Sequence, residues 1–132
     1  NMFVAGFIGS PTMNFLQGTL ERGDGGLVLR HAAGALALSG LQQDVEAFVG
    51  REVTAGIRPE MLDVGDGAAS FIGTVDVVEP TGPDTMVIVS VGGQLITARL
   101  GPKVRPKPGD SLSLSVDTAA INLFDPTTSN RI

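Results

Sequence analysis

His31 is the only histidine in a chain of 132 residues that contains no cysteine. Those two facts bound the chemistry. A Ser-His-Asp triad needs its imidazole held between a nucleophile and a carboxylate, and nothing around His31 supplies that arrangement. His31 begins the turn His31-Ala32-Ala33-Gly34, where a solvent-facing position is expected. Without cysteine there is no disulfide framework, no thiolate nucleophile and no cysteine zinc site. The carboxylates are scattered. Asp63 and Asp66 are close, but Gly65-Asp66-Gly67 reads as a turn and no calcium-loop spacing follows. No catalytic residue, cofactor-binding residue or metal ligand is therefore assigned.

Phosphate chemistry is no better served. A Walker A loop ends in Gly-Lys, so that the lysine reaches the phosphates cradled by backbone amides. The only lysines are Lys103 and Lys107, preceded by Pro102 and Pro106. Leu38-Ser39-Gly40-Leu41-Gln42-Gln43 approaches the Leu-Ser-Gly-Gly-Gln signature of ABC ATPases, but Leu41 replaces the glycine that lets backbone approach a γ-phosphate. Three of the nine basic residues fall in Gly101 to Gly109, which reads as a solvated hairpin loop stiffened by proline. A net charge of −5 and the absence of Trp and Tyr argue against nucleic-acid binding. The phenylalanines sit mostly in apolar contexts that look like core.

The elements that would position these residues are strands. Leu112, Leu114 and Val116 alternate with Ser111, Ser113, Ser115 and Asp117, the period of a half-buried strand. Ile96, Ala98 and Leu100 alternate with Thr97 and Arg99. Phe71, Gly73, Val75 and Val77 would line one face of another strand, and Thr85 to Val91 reads as buried on both faces. Leu27 and Leu29 face Leu36 and Leu38 across the His31 turn. Turn chemistry separates the runs at Gly23 to Gly26, Pro80 to Asp84, Gly92-Gly93 and Lys107 to Asp110. The fold class is all-β, an OB-type barrel or sandwich of short antiparallel strands. Helix is expected in three places: a short N-terminal helix, where Phe3 and Phe7 and Val4 and Ile8 are four apart, part of Gln42 to Phe48, and a turn near Ala119 to Phe124. No segment approaches the roughly 20 apolar residues of a membrane-spanning helix. The chain begins at Asn1 and reads as cut from something longer.

Four segments together resemble a known family. Phe3-Val4-Ala5-Gly6-Phe7-Ile8-Gly9-Ser10-Pro11-Thr12-Met13-Asn14-Phe15-Leu16 looks like the junction between the ATPase domain of carbohydrate-importing ABC transporters and its C-terminal regulatory domain. Gly56-Ile57-Arg58-Pro59-Glu60 resembles that family's Gly-Ile-Arg-Pro-Glu hallmark. Val78 to Thr85 resembles the hairpin that follows, and Asn122-Leu123-Phe124-Asp125 the terminal segment. Many members carry His where this chain has Met61.

The resemblance implies a transport-associated OB (TOBE-type) regulatory domain over residues 15–132. Residues 1–14 would then be the end of, or linker from, a missing ATPase domain that uses ATP and Mg. It implies a homodimer through this domain, membrane subunits reached through the missing part, a place at the cytoplasmic face of the inner membrane, and in some members a regulatory protein partner. It makes Gly56, Arg58, Pro59, Glu60 and Phe124 the hallmark and interface candidates. From the residues themselves, Arg58 and Glu60 would point the same way on a strand as a charge pair, or contact a neighbouring subunit. Two alternatives stand beside this reading: a small-oxyanion-binding domain of the molybdate type, and a nucleic-acid-binding OB-fold.

Overall fold

A computed structural model describes residues 13–132. The N-terminal helix expected over Met2 to Gly9 lies outside the described residues. Ten strands follow: β1 (Asn14–Gly23), β2 (Gly26–His31), β3 (Gly34–Ala37), β4 (Glu52–Ile57), β5 (Leu62–Val64), β6 (Ser70–Pro80), β7 (Thr85–Val91), β8 (Gln94–Leu100), β9 (Ser111–Val116) and β10 (Asn122–Phe124). They form two five-stranded antiparallel sheets, in the orders β10-β4-β1-β2-β3 and β5-β9-β6-β7-β8. The all-β expectation holds. Short 3₁₀ turns occur at Glu46–Phe48 and Thr118–Ala120, where helix was expected, and at Pro59–Met61, where it was not.

The turns do what their residues dictate. Gly92 and Gly93 both take positive φ, 57° and 88°, in a two-residue loop that pairs Val91 with Gln94. This is the hairpin turn that only glycine or a few polar residues adopt without strain. Leu29 lies opposite Leu36 across the His31 turn, and both are fully buried. The inner faces of the two sheets merge into one core that includes Leu16, Leu20, Ala55, Phe71, Val89, Ile96, Leu114 and Leu123. β10 comes from the end of the chain yet pairs with β4, so the C-terminus closes the sheet the N-terminus began.

Four expectations need correction. β7 is not buried on both faces: Thr85, Val87, Val89 and Val91 are buried, while Met86, Ile88 and Ser90 are half-exposed. Val77 does not continue the inner row of Phe71, Gly73 and Val75. A β-bulge at Asp76 shifts the register, so Val77 turns outward at 44% exposure and Val78 takes the inward position. The backbone opposite the bulge pairs elsewhere: Val75 receives the Gly109 N–H at 2.8 Å and donates to the Asp110 carbonyl at 2.8 Å. The Gly101 to Gly109 segment is not a hairpin loop, because β8 and β9 are not neighbours. It crosses from the sheet edge over β6 and β7, with Lys103, Arg105 and Lys107 exposed along it. Of the described phenylalanines only Phe71 is fully in the core; Phe15 is 55% exposed.

Two seams join the sheets, and the better-built one uses side chains. The Asn14 amide nitrogen donates to the Thr97 carbonyl and its oxygen accepts the Thr97 N–H, both at 2.8 Å. The Gln94 oxygen accepts the Gln17 N–H at 2.8 Å, and its nitrogen donates to the Gln17 carbonyl at 3.3 Å. Both pairs lie in one antiparallel register between β1 and β8. Each amide stands in for a strand whose backbone is too far away to pair directly. The other seam is closed by the Ala37 N–H donating to the Ala68 carbonyl at 2.9 Å.

Candidate functional site

β4 lies between β10 and β1 in the first sheet and buries Val53, Ala55 and Ile57 on one face. Gly56 lies on the other face between Phe15 of β1 and Asn122 of β10. Its lack of a side chain is required. A Cβ there would lie 2.8 Å from Phe124 Cε2 and would collide with Met13 Sδ. The Phe15 and Phe124 rings meet edge-on over this strand, with centroids 6.1 Å apart. Gly56 and Phe124, two of the sequence candidates, are therefore in contact. Phe15 belongs with them and was missed, because its apolar neighbours suggested core.

Past Ile57 the chain leaves the sheet. Arg58 is extended (φ −72°, ψ 141°), as a residue before proline must be. Pro59 is buried at the first position of a 3₁₀ turn, where its missing N–H costs nothing. The Met61 N–H closes the turn on the Arg58 carbonyl at 2.9 Å, and Leu62 then enters the second sheet. The hallmark segment is thus the crossover between sheets. The strand-end charge pair is not formed. Arg58 and Glu60 sit on a turn, both are exposed, and the ion pairs among the described residues are Arg22 with Glu46, Arg30 with Glu21, and Arg99 with Asp84.

The signature lookalike is architecture. The Gly40 N–H donates to Thr118 Oγ1 at 2.9 Å, and a Cβ there would come within 2.6 Å of it. The Gln43 oxygen accepts the Leu123 N–H at 2.7 Å, and its nitrogen donates to the carbonyls of Leu123 at 3.2 Å and Ile132 at 2.9 Å. Leu41 packs at the core margin. The segment pins β10 rather than presenting amides to a ligand.

His31 is not the solvent-facing turn residue expected. It is 8% exposed and its ring meets Phe71 edge-on at 6.5 Å. Nδ1 accepts the Ala33 N–H at 3.2 Å, so the ring proton belongs on Nε2, which is buried without a partner. Burial holds the imidazole below its usual pKa. Among the described residues no nucleophile or carboxylate bonds to it, and a shallow cleft of about 360 Å³ beside it is lined by Thr19, Arg30, Glu52 and Gln94. Among the described residues no group of three or more His, Asp or Glu could hold a metal ion, and no helix is long and apolar enough to cross a membrane.

Two family profiles match in tandem. Residues 9–62 match the MalK OB fold domain and residues 67–123 the TOBE domain. The division falls between Leu62 and Gly67, within and just after β5. Relatives carry ATP-binding names. An uncharacterized ABC transporter ATP-binding protein (y4oS) of Sinorhizobium fredii is 43% identical over the whole chain and 34% of its own length. The sulfoquinovosyl glycerol transport ATP-binding protein SmoE of Agrobacterium fabrum is 37% identical over the whole chain and 37% of its own length. The sn-glycerol-3-phosphate import ATP-binding protein UgpC of Chromobacterium violaceum is 37% identical over 98% of the chain and 34% of its own length. The chain thus spans about a third of these relatives. Among solved structures, the molybdate-bound cytoplasmic protein ModG shares the fold, with a TM-score of 0.60, 20% identity, and coverage of 90% of this chain and 99% of that one.

Proposed function

The chain belongs to the family that joins a MalK OB fold domain to a TOBE domain in ABC importer ATP-binding proteins, and from that premise we propose that it is the regulatory and dimerisation part of such a subunit, in an importer for sugars or related solutes. The observation that carries the reading is the tandem match, which runs across both sheets while the relatives extend far beyond it. ATP and Mg would be handled by the rest of the subunit. The subunit would sit at the cytoplasmic face of the inner membrane, against membrane subunits, with residues 1–14 leading from the ATPase part into a regulatory domain over 15–132. Gly56 and Phe124 would shape an interaction surface beside the crossover, and Arg58 and Glu60, exposed and unpaired with each other, would offer charge to a partner. A regulatory protein is one candidate for that partner.

The test is direct. The 132-residue chain should bind no Mg·ATP by calorimetry, turn over none, and self-associate in sedimentation. ATP hydrolysis by this chain, or a strictly monomeric state in both the chain and the complete subunit, would overturn the proposal.

One second reading draws on the shared fold with the molybdate-binding protein: a small oxyanion held by this domain. Calorimetry with molybdate, tungstate and sulfate separates the two, since the regulatory reading expects no heat from any of them.

A further inference from the structure

A slot opens along the second seam, between two strand edges that nothing among the described residues fills. The Ala69 carbonyl accepts the Val116 N–H at 3.0 Å. In that register Ala69, Phe71 and Gly73 bond to β9, so Ser70 and Ile72 turn their N–H and C=O groups the other way. β7 covers that edge of β6 only from Thr74 onward. Across the seam lies β3, the last strand of the first sheet. Just past it the Leu38 N–H donates to the Leu27 carbonyl at 2.9 Å, so Leu36 bonds to β2 while Ala35 and Ala37 turn outward. Ala37 meets the Ala68 carbonyl. Two residues away in each strand are Ala35 and Ser70, and among the described residues no backbone bond joins them. Instead they line a cavity of about 200 Å³ with His31, Ala33, Phe71 and Ile72. His31 forms one wall, and its buried Nε2 has no partner.

Two other sheet edges are handled differently. At β8 the Asn14 amide takes both backbone groups of Thr97, and at β10 the Gln43 amide takes both of Leu123. Folded chains also blunt such edges with charged residues or proline, and the lining of the slot has neither. We propose that the slot receives a short, extended, uncharged peptide segment of another protein, which adds a strand to the Ser70 to Ile72 edge of β6. N–H and C=O groups alternate along that edge, which suits a peptide backbone; an anion would meet carbonyls beside every donor. At about 200 Å³ the slot falls below the 300 Å³ or so of small-molecule pockets. Ile72 stands 58% exposed at its rim, where a paired strand would set an apolar side chain of its own. The free edge is about three residues long, at roughly 3.3 Å each, so the affinity is modest. The inference goes beyond the importer reading and does not depend on it.

Amide hydrogen exchange of the free 132-residue chain, read by NMR, comes first. The N–H groups of Ala35, Ser70 and Ile72 should exchange at least tenfold faster than those of Leu36 and Phe71, which lie in ladders. Equal protection would mean that another part of the chain already fills the slot, and would overturn the proposal. The probe is then acetyl-Thr-Val-Thr-Val-Thr-amide, titrated to about 5 mM, the range suited to a few hydrogen bonds. Its shifts should centre on Ala35, Ser70 and Ile72. The same peptide N-methylated at its three central residues should bind at least tenfold more weakly. Ala35→Pro, which removes an N–H that the β2 ladder does not use, should weaken binding as much, as should Ile72→Lys. Thermal unfolding establishes that each variant is folded. Should Ala35→Pro unfold, Ile72→Lys at its exposed position carries the test. No shifts at 5 mM or so, shifts centred on other residues, or equal binding by the methylated peptide would each overturn the proposal.

Discussion

The side-chain amide of Asn14 holds the backbone of Thr97 at both ends, its nitrogen on the carbonyl and its oxygen on the N–H, each at 2.8 Å. Asn14 opens the first strand of one sheet and Thr97 lies on the edge strand of the other, 83 residues away. Asn14 is 5% exposed and Thr97 is half-buried, so little water reaches the clamp. Asn14→Ala removes the partner of both backbone groups of Thr97 and should cost about 1–3 kcal/mol. Gln94→Ala, at a half-exposed position making the equivalent clamp on Gln17, should cost less, because water can replace the amide. Urea unfolding of both variants measures the order; equal losses would show that burial does not set it.

Gly56→Ala should destabilise by about 1–3 kcal/mol, since the added methyl meets Phe124 Cε2 and Met13 Sδ. Adding Phe124→Leu should recover part of that loss, so the double variant is more stable than the sum of the single effects allows. Additive losses in a double-mutant cycle would mean that the clash is not with the ring.

At the crossover, Arg58→Ala and Glu60→Ala should each change stability by less than about 0.5 kcal/mol, because both side chains are exposed and unpaired with each other. Pro59→Gly should cost about 1 kcal/mol or more, through lost burial and a freer unfolded chain. Thermal melts of the three variants distinguish a turn held by proline from a turn held by an ion pair.

The bulge predicts unequal valines two positions apart. Val75→Ala, at 2% exposure, should cost roughly 1–3 kcal/mol, while Val77→Ser should fall within about 0.5 kcal/mol of the unmodified chain. Comparable losses at both sites, read from urea midpoints, would place Val77 back on the inner face.

Burial lowers the His31 pKa, so the folded chain resists a proton that the unfolded chain accepts near pH 6.5. Below about pH 6.5 the unfolded state therefore holds more protons, and stability falls with pH until the lowered native value is passed. His31→Asn, whose side-chain oxygen can still accept the Ala33 N–H, should remove this component between pH 7 and 5.5 and leave only the carboxylate response below it. Urea midpoints across that range for both proteins provide the check, and an unchanged slope in the variant would contradict it.

The strands were legible because burial on one face imposes a period of two, and Leu112 to Val116 or Ile96 to Leu100 cannot satisfy it in any other way. The glycine turns were legible because few residues accept positive φ. Gly56 and Phe124 were legible as members of a pattern, but their contact was not, because neither identity states which strands are neighbours.

What the sequence determined alone was therefore local and periodic: an all-β chain, its turns, and a hallmark segment around Arg58-Pro59. Tertiary structure decided which residues meet. It sent Val77 outward, since a bulge of one residue reverses every later side chain and leaves no mark in composition. It buried His31, since only the far strand carrying Phe71 removes water from that turn. It turned Asn14, Gln94 and Gln43 from ordinary polar residues into clamps on distant backbone. A side-chain amide presents N–H donors and a carbonyl acceptor, as a peptide group does, and only the assembled sheets reveal which unpaired backbone groups it completes.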